Sequence, residues 1–147
     1  MHPQNLFDNA TYVAILERMS ALTPASKPEW GKMEVGQMLA HCAEVQDVYN
    51  GKPLRAPLWM KLLRPMLRPM LLADREFSRN SPTLDQFRIV DPEDFARQRE
   101  RLVNSLRTMQ ALGRRPLKHP MLGMMTSDEV GWMTWKHLDH HLRQFGV

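Results

Sequence analysis

Histidine is the residue type in this sequence best suited to chemistry, because its ring nitrogens bind divalent metals and exchange protons near neutral pH. Six histidines occur in the 147 residues, and two of them, His137 and His141, are four positions apart. Residues at that spacing lie on one face of a helix, one turn from each other. We therefore expect the two imidazoles to be able to hold one divalent metal through two nitrogens.

His41 is the natural third ligand for such a metal. It interrupts an apolar stripe, Met38 to Val45, at an inward-facing position of a predicted helix. Burying an imidazole there costs free energy unless its ring nitrogens find partners. Three neutral imidazoles leave a coordination position open for water, and such an open site is typical of catalytic rather than structural zinc.

The remaining histidines have simpler interpretations. His140 is the main rival ligand, or else a surface residue beside the site. His119 precedes Pro120 in a predicted loop, where packing or hydrogen bonding accounts for it, and His2 is expected to be frayed. A helical pair of histidines is by itself a weak metal signal, so the prediction depends on the third ring.

Two further side chains could support chemistry at this metal. Glu44 is three residues after His41 on roughly the same helix face, which makes it the candidate general base. The alternative is that Glu44 is an ordinary solvated helix residue. Gln144, three residues after His141, could hydrogen-bond a ligand histidine or the substrate and so fix the orientation of the ring.

The elements that must position these residues are predicted to be helices, so the fold class is all-α. Apolar residues repeat at steps of three and four in four segments, with capping and stop signals at their ends. The segments run from Asp8 or Asn9 to Thr23-Pro24, from about Glu34 to Asn50, from Asp91-Pro92 to Gly113, and from the capping box Thr126/Glu129 to about Gln144. Four helices without a convincing strand predict a four-helix bundle.

The connection between the second and third helices is about forty residues long, enough to run the length of a bundle and let these two helices lie parallel. Prolines punctuate it, so we expect only short cationic helices, around Leu58–Leu72. Between Lys52 and Arg79 there are seven basic and two acidic residues, whereas the whole chain has a net charge of +4. We interpret the basic, methionine-rich part of this connection, Leu54–Leu72, as a lid over the site; an interfacial amphipathic helix and a purely structural cover are the alternatives.

Composition excludes several classes. Hydrophobic residues make up 43% and charged residues 24%, which predicts one globular domain over residues 1–147. The sequence shows neither a secretory signal nor a membrane span, and its lone Cys42 fits a reducing compartment, so we expect a cytoplasmic protein. The basic residues lie among leucines, methionines and prolines rather than in a recognition stripe, which argues against nucleic acid.

Two motifs carry a family resemblance. His137, His140, His141 and Gln144 have the spacing of the last helix in the DinB/YfiT-like superfamily, and Gly36-Gln37-Met38-Leu39-Ala40-His41 is similar to its second-helix motif. The resemblance covers nearly the whole chain, which looks like a branch classed as a domain of unknown function. It implies a bundle with up-down-down-up topology and a zinc or nickel ion on His41, His137 and His141. Arg143 stands where that family has glycine.

The resemblance also implies thiol-dependent transferase or isomerase chemistry with low-molecular-weight thiols, and it makes a homodimer plausible. We therefore carry two hypotheses. The first is a metal-dependent enzyme that activates water or a thiol for hydrolysis or thiol transfer on a small molecule. The second is a non-catalytic metal-binding or structural helical bundle, with a possible role in stress.

Overall fold

The computed structural model describes residues 3–147, so His2 lies outside the described part. This part of the chain is mostly helical, with one small antiparallel sheet. The elements in chain order are α1 (Asn9–Ser20), α2 (Val35–Tyr49), α3 (Leu58–Leu62), α4 (Arg64–Leu72), a 3₁₀ turn (Asp85–Phe87), α5 (Phe95–Leu112), β1 (Leu117–His119), β2 (Gly123–Met125) and α6 (Ser127–Gln144). The all-α prediction is thus confirmed at the level of a mostly helical fold.

Most helix boundaries follow from capping chemistry. Glu34 and Thr126 each begin a helix with a capping box, in which the N-cap side chain and the residue three positions later satisfy each other's free backbone amides. Both starts were predicted. α5 begins three residues later than expected, because the N-cap is Asp94, which accepts from the Arg97 amide, rather than Asp91 before Pro92.

Four long helices enclose the core. α2 packs most extensively on α5, and it also contacts α6, which in turn contacts α1 and α4. Gly36 permits the close approach of α2 to the start of α5, since a Cβ at this position would overlap the Glu93 carbonyl oxygen. The interior is filled by apolar side chains, chiefly Leu6, Ile15, Met19, Leu39, Leu102, Leu106, Met133, Leu138, Leu142 and Phe145.

A β-hairpin before α6 was not predicted. Leu117 pairs with Met125 and His119 with Gly123, so Pro120, Met121 and Leu122 form the turn. His119, expected in a loop, is instead the last residue of β1. Its Nδ1 accepts from the amides of Met121 and Leu122 at 3.2 Å each, which closes the turn. No helix among residues 3–147 combines the length and apolar character needed to cross a bilayer.

The segment 58–72, named the strap below, is nearly one helix. α3 and α4 are separated only by Leu63, whose backbone stays in the right-handed helical region. Arg64 and Arg68 fasten the strap to the hairpin turn by donating to the carbonyls of residues 120, 121 and 122. Arg68 also pairs with both carboxylate oxygens of Glu129 on α6. These contacts show that the strap rests on the hairpin and α6.

Candidate metal centre

The three predicted histidines converge in the interior. α2 contributes His41, and α6 contributes His137 and His141 from successive turns. The ring centroid of His41 is 5.0 Å from that of His137 and 4.7 Å from that of His141, and the two α6 rings are 4.7 Å apart. One ring nitrogen from each residue can be chosen so that all three lie within 4.8 Å of one another. Among residues 3–147 this is the one such histidine, cysteine or carboxylate cluster.

Hydrogen bonds determine which nitrogen of His41 is free. Its Nδ1 is 2.8 Å from the carbonyl oxygen of Phe87, an atom that can only accept, so Nδ1 carries the proton. In the neutral ring Nε2 is then a lone-pair donor to a metal. The same Nε2 lies 3.1 Å from Nε2 of His137. Two nitrogens bound tetrahedrally to one zinc at 2.0–2.1 Å are separated by about 3.3 Å, so the observed separation fits a shared ion.

His141 is oriented in the same way through a side chain. Its Nδ1 lies 2.8 Å from Oε1 of Gln144. The amide of Gln144 is itself held by the Trp30 carbonyl, to which Nε2 donates at 2.9 Å, and this leaves the acceptor oxygen facing the imidazole. His141 therefore donates from Nδ1 and keeps Nε2 unprotonated. A hydrogen bond of this kind holds an imidazole in one orientation.

All three rings favour the neutral form that metal binding requires. Desolvation lowers the pKa of His41, and it lowers the pKa of His141 to about 3. Desolvation together with the neighbouring imidazoles holds the pKa of His137 well below its usual value. His41 and His141 are buried, and His137 is half-buried.

Glu44 does not join the three histidines. Its carboxylate oxygens form ion pairs with the Lys52 amine, at 2.6 Å, and with the guanidinium of Arg101 on α5, at 2.7 Å. Although burial alone would raise its pKa, the two cations together lower it, and a carboxylate with a lowered pKa is a weaker base. These contacts give the general-base prediction for Glu44 no support.

His140 and Arg143, the other α6 residues near the cluster, have partners of their own. His140, the rival ligand, stays outside it and makes edge contacts with Trp30 and Phe77, each with ring centroids 5.8 Å away. Arg143 pairs with Glu76 at 2.6 Å and Asp139 at 2.9 Å, so two carboxylates hold its guanidinium. The partners of His140 and Arg143 thus come from the loop of Trp30, from residues 76 and 77, and from α6 itself.

Sequence reasoning missed the two backbone carbonyls that fix the rings. Those of Trp30 and Phe87 belong to connections between the long helices, the first in a loop and the second at the end of the 3₁₀ turn, and a carbonyl leaves no signature in residue type. The aromatic character of the two residues was the only available signal: the Phe87 ring makes an edge contact with His41, and the Trp30 ring makes one with the neighbouring His140.

Comparison with curated proteins and with solved structures gave no match. A family model does match, and it spans residues 5–146, which include all three histidines, Gln144 and both carbonyl partners. The matched part is almost the whole chain. The chain therefore belongs to the family described as "Protein of unknown function (DUF1569)".

Proposed function

We propose that this protein is a metal-dependent enzyme whose divalent ion, zinc or nickel, is held by His41, His137 and His141. The observation that carries the proposal is that three imidazoles from two helices converge, two of them with Nδ1 engaged by an acceptor so that Nε2 remains for the ion. Imidazole nitrogen is a preferred ligand of both metals.

When bound, the ion would supply Lewis acidity, which lowers the pKa of a coordinated water or thiol and provides a nucleophile at neutral pH. The chain's own residues would do the positioning. The Phe87 carbonyl and Gln144 hold two imidazoles in one tautomer, so that no proton must be moved before a ligand nitrogen is free. We propose hydrolysis or thiol transfer on a small molecule, with a low-molecular-weight thiol as a possible co-substrate.

The DinB/YfiT-like resemblance supports the same proposal, and with it we propose a single domain over residues 1–147 with up-down-down-up bundle topology. A cytoplasmic location, a homodimer and the absence of a nucleic-acid partner are further parts of this proposal. A second candidate is a non-catalytic module, either metal-binding or purely structural. It is favoured by one observation, namely that the carboxylate nearest in sequence to His41, Glu44, is occupied by Lys52 and Arg101.

The first test is metal content after purification without a nickel column, measured by mass spectrometry in wild type and in a His137→Ala/His141→Ala double variant. His140→Ala is the matched control, since it removes an imidazole from the same helix but outside the cluster. We expect wild type and control to retain the ion and the double variant to lose it while circular dichroism shows a retained fold. Wild type that stays metal-free after supplementation with zinc and nickel contradicts the enzyme and supports a structural module.

The second test separates enzyme from module. Metal-loaded protein is screened with thiols plus electrophiles and with panels of esters and amides. Turnover that disappears in the double variant and persists in His140→Ala supports the enzyme. Stoichiometric metal without turnover in any panel favours the module.

A further inference from the structure

The strap presents apolar side chains to solvent, the reverse of the usual arrangement. Leu58 is 76% exposed, Leu62 80%, Met66 62% and Met70 45%. These residues recur every fourth position, so they form one stripe along the outer side of the strap, with Trp59 beside it. Contiguous exposed apolar surface of this kind marks an interaction site rather than ordinary surface scatter.

The two arginines of the strap point the other way, and both already have partners in the body. Arg64 and Arg68 donate to the hairpin turn and to Glu129. At the other end, Trp132 donates to the Leu72 carbonyl, and the Lys136 amine donates to the carbonyls of Leu71 and Ala73. Because polar contacts fasten the middle and the C-terminal end of the strap to the body, its outward apolar stripe cannot be buried by a simple rotation of α4.

The charge around the stripe has one sign. From Gly51 to Ala73 the sequence contains five basic residues and no acidic one. Three of them, Lys52, Arg55 and Lys61, are exposed. Lys52 pairs with Glu44, whereas the side chains of Arg55 and Lys61 form no ion pair within the described part of the chain. An exposed stripe of leucine, methionine and tryptophan flanked by unpaired cations is complementary to a partner in which an anionic outer layer covers an apolar interior.

From this we propose that the strap docks the protein peripherally on anionic phospholipid, with its leucine and methionine side chains in the headgroup–acyl boundary and Lys61 and Arg55 against the lipid phosphates. The protein would lie on the bilayer without spanning it. The prolines do not oppose this arrangement, since the helix continues through Leu63 and Pro65, and Pro69 lies on the exposed side.

A second copy of the chain is a poorer occupant. A two-fold interface would place the same patch on both sides, so that Arg55 and Lys61 of one copy meet a surface with no carboxylate between residues 51 and 73. A groove-binding protein partner is also disfavoured, because this surface is the outward side of a helix and has no walls formed by neighbouring elements.

The experiment is co-sedimentation of the full chain with vesicles of phosphatidylcholine containing about one third phosphatidylglycerol, beside vesicles of phosphatidylcholine alone. The test variant is Leu62→Glu/Met66→Glu, and the matched control is Val90→Glu, which introduces a charge at another exposed apolar position, 72% accessible. All are checked for fold by circular dichroism and for self-association by light scattering.

We expect wild type and Val90→Glu to bind the anionic vesicles, and the double variant to bind at least about tenfold more weakly. Lys61→Glu should weaken binding about fivefold or more at low salt, and neutral vesicles should retain much less protein. Binding would also shift the emission of Trp59 to shorter wavelength, a change absent from Trp59→Phe.

Three results would overturn the proposal. One is wild-type protein that remains in the supernatant with anionic vesicles, and another is equal binding by wild type and the double variant. The third is self-association without lipid that Leu62→Glu/Met66→Glu abolishes, which would assign the stripe to a second copy. The assay reads lipid binding of the strap alone, so its outcome is independent of the metal proposal.

Discussion

The histidine cluster and the strap both depart from the usual separation of apolar interior and polar surface, but in opposite directions. At the cluster, imidazoles replace apolar side chains inside the helical core, and each Nδ1 of His41 and His141 has a hydrogen-bond partner. At the strap, apolar side chains face water while arginines face the body. The contrast teaches that a buried polar side chain needs a hydrogen-bond partner within the chain, whereas an exposed apolar surface is covered by a partner from outside it.

The largest expected effect comes from breaking the cluster. Wild type saturated with zinc at about a thousand times its dissociation constant should gain about 4 kcal/mol in free energy of unfolding, because the ion binds only the folded chain. Zinc at the same concentration should leave the free energy of unfolding of His41→Ala almost unchanged. Thermal unfolding with and without zinc, on wild type, His41→Ala and the control His140→Ala, measures this difference. An equal zinc response in wild type and His41→Ala would contradict the assignment.

The hairpin that supports the strap should be sensitive to pH. Burial, with a smaller contribution from Arg64, lowers the pKa of His119 to about 4, and its Nδ1 accepts two amides. The unfolded chain therefore binds a proton at higher pH than the folded chain, near 6.5. The neutral ring therefore makes its full contribution to the free energy of unfolding above that pH. This contribution falls by up to about 3 kcal/mol as the pH decreases toward 4.

His119→Asn retains an acceptor for the turn but does not titrate in this range. We expect the free energy of unfolding, measured by urea titration between pH 7 and pH 4, to decrease less in this variant than in wild type. Parallel curves for the two proteins would show that His119 is not the responsible group.

Gly36→Ala tests how closely α2 must approach α5 to position His41. A methyl group here would overlap the Glu93 carbonyl oxygen, and the backbone on both sides must shift. Overpacking of this kind outweighs the better helix propensity of alanine, so we expect a loss of about 2 kcal/mol in the free energy of unfolding. Urea titration measures it. A stabilised variant would mean that the two helices are farther apart than described.

Arg68→Gln should loosen the strap while leaving the cluster intact. The change removes the paired contact with Glu129 and the bond to the Leu122 carbonyl. Both partners are partly exposed, so solvent screening limits the loss to about 1 kcal/mol. Hydrogen exchange should accelerate in residues 58–72 and stay unchanged around His137. Arg107→Gln, which removes only an exposed bond to Asn104, is the control.

The smallest effect is expected at the outer stripe. Leu62→Gln should change the free energy of unfolding by less than about 0.5 kcal/mol, because this side chain is already in water. Leu106→Ala, at a fully buried position, should cost about 2–5 kcal/mol in the same urea titration. A large loss for Leu62→Gln would mean that the stripe packs against the chain itself.

Much of the site was predictable because helical periodicity determines which residues share a face. Four-residue spacing placed His137 and His141 together, and the interrupted apolar stripe identified His41 as inward-facing. The capping box at Thr126 fixed the start of the helix that carries the pair. Each of these inferences uses contacts within one helix, where sequence distance and spatial distance are tightly related.

What was missed depends on how separate elements pack. The cations on Glu44 come from Lys52 in the following loop and Arg101 on α5, a pairing set by the α2–α5 contact. The hairpin depends on a side-chain acceptor, His119, that closes a turn containing proline. The outward position of the apolar stripe was not predictable, because a helix that contains both leucines and arginines does not reveal which face meets the body.

The bond between His41 and the Phe87 carbonyl has a consequence for motion. It connects an imidazole of the cluster to the 3₁₀ turn of the long connection between α4 and α5. Whenever that turn detaches, Nδ1 loses its acceptor, and the proton of His41 becomes free to exchange between the two ring nitrogens. Local opening of this connection is therefore coupled to the choice of the metal-binding nitrogen in His41. Protection of the amides at the 3₁₀ turn from hydrogen exchange should rise when a metal binds Nε2.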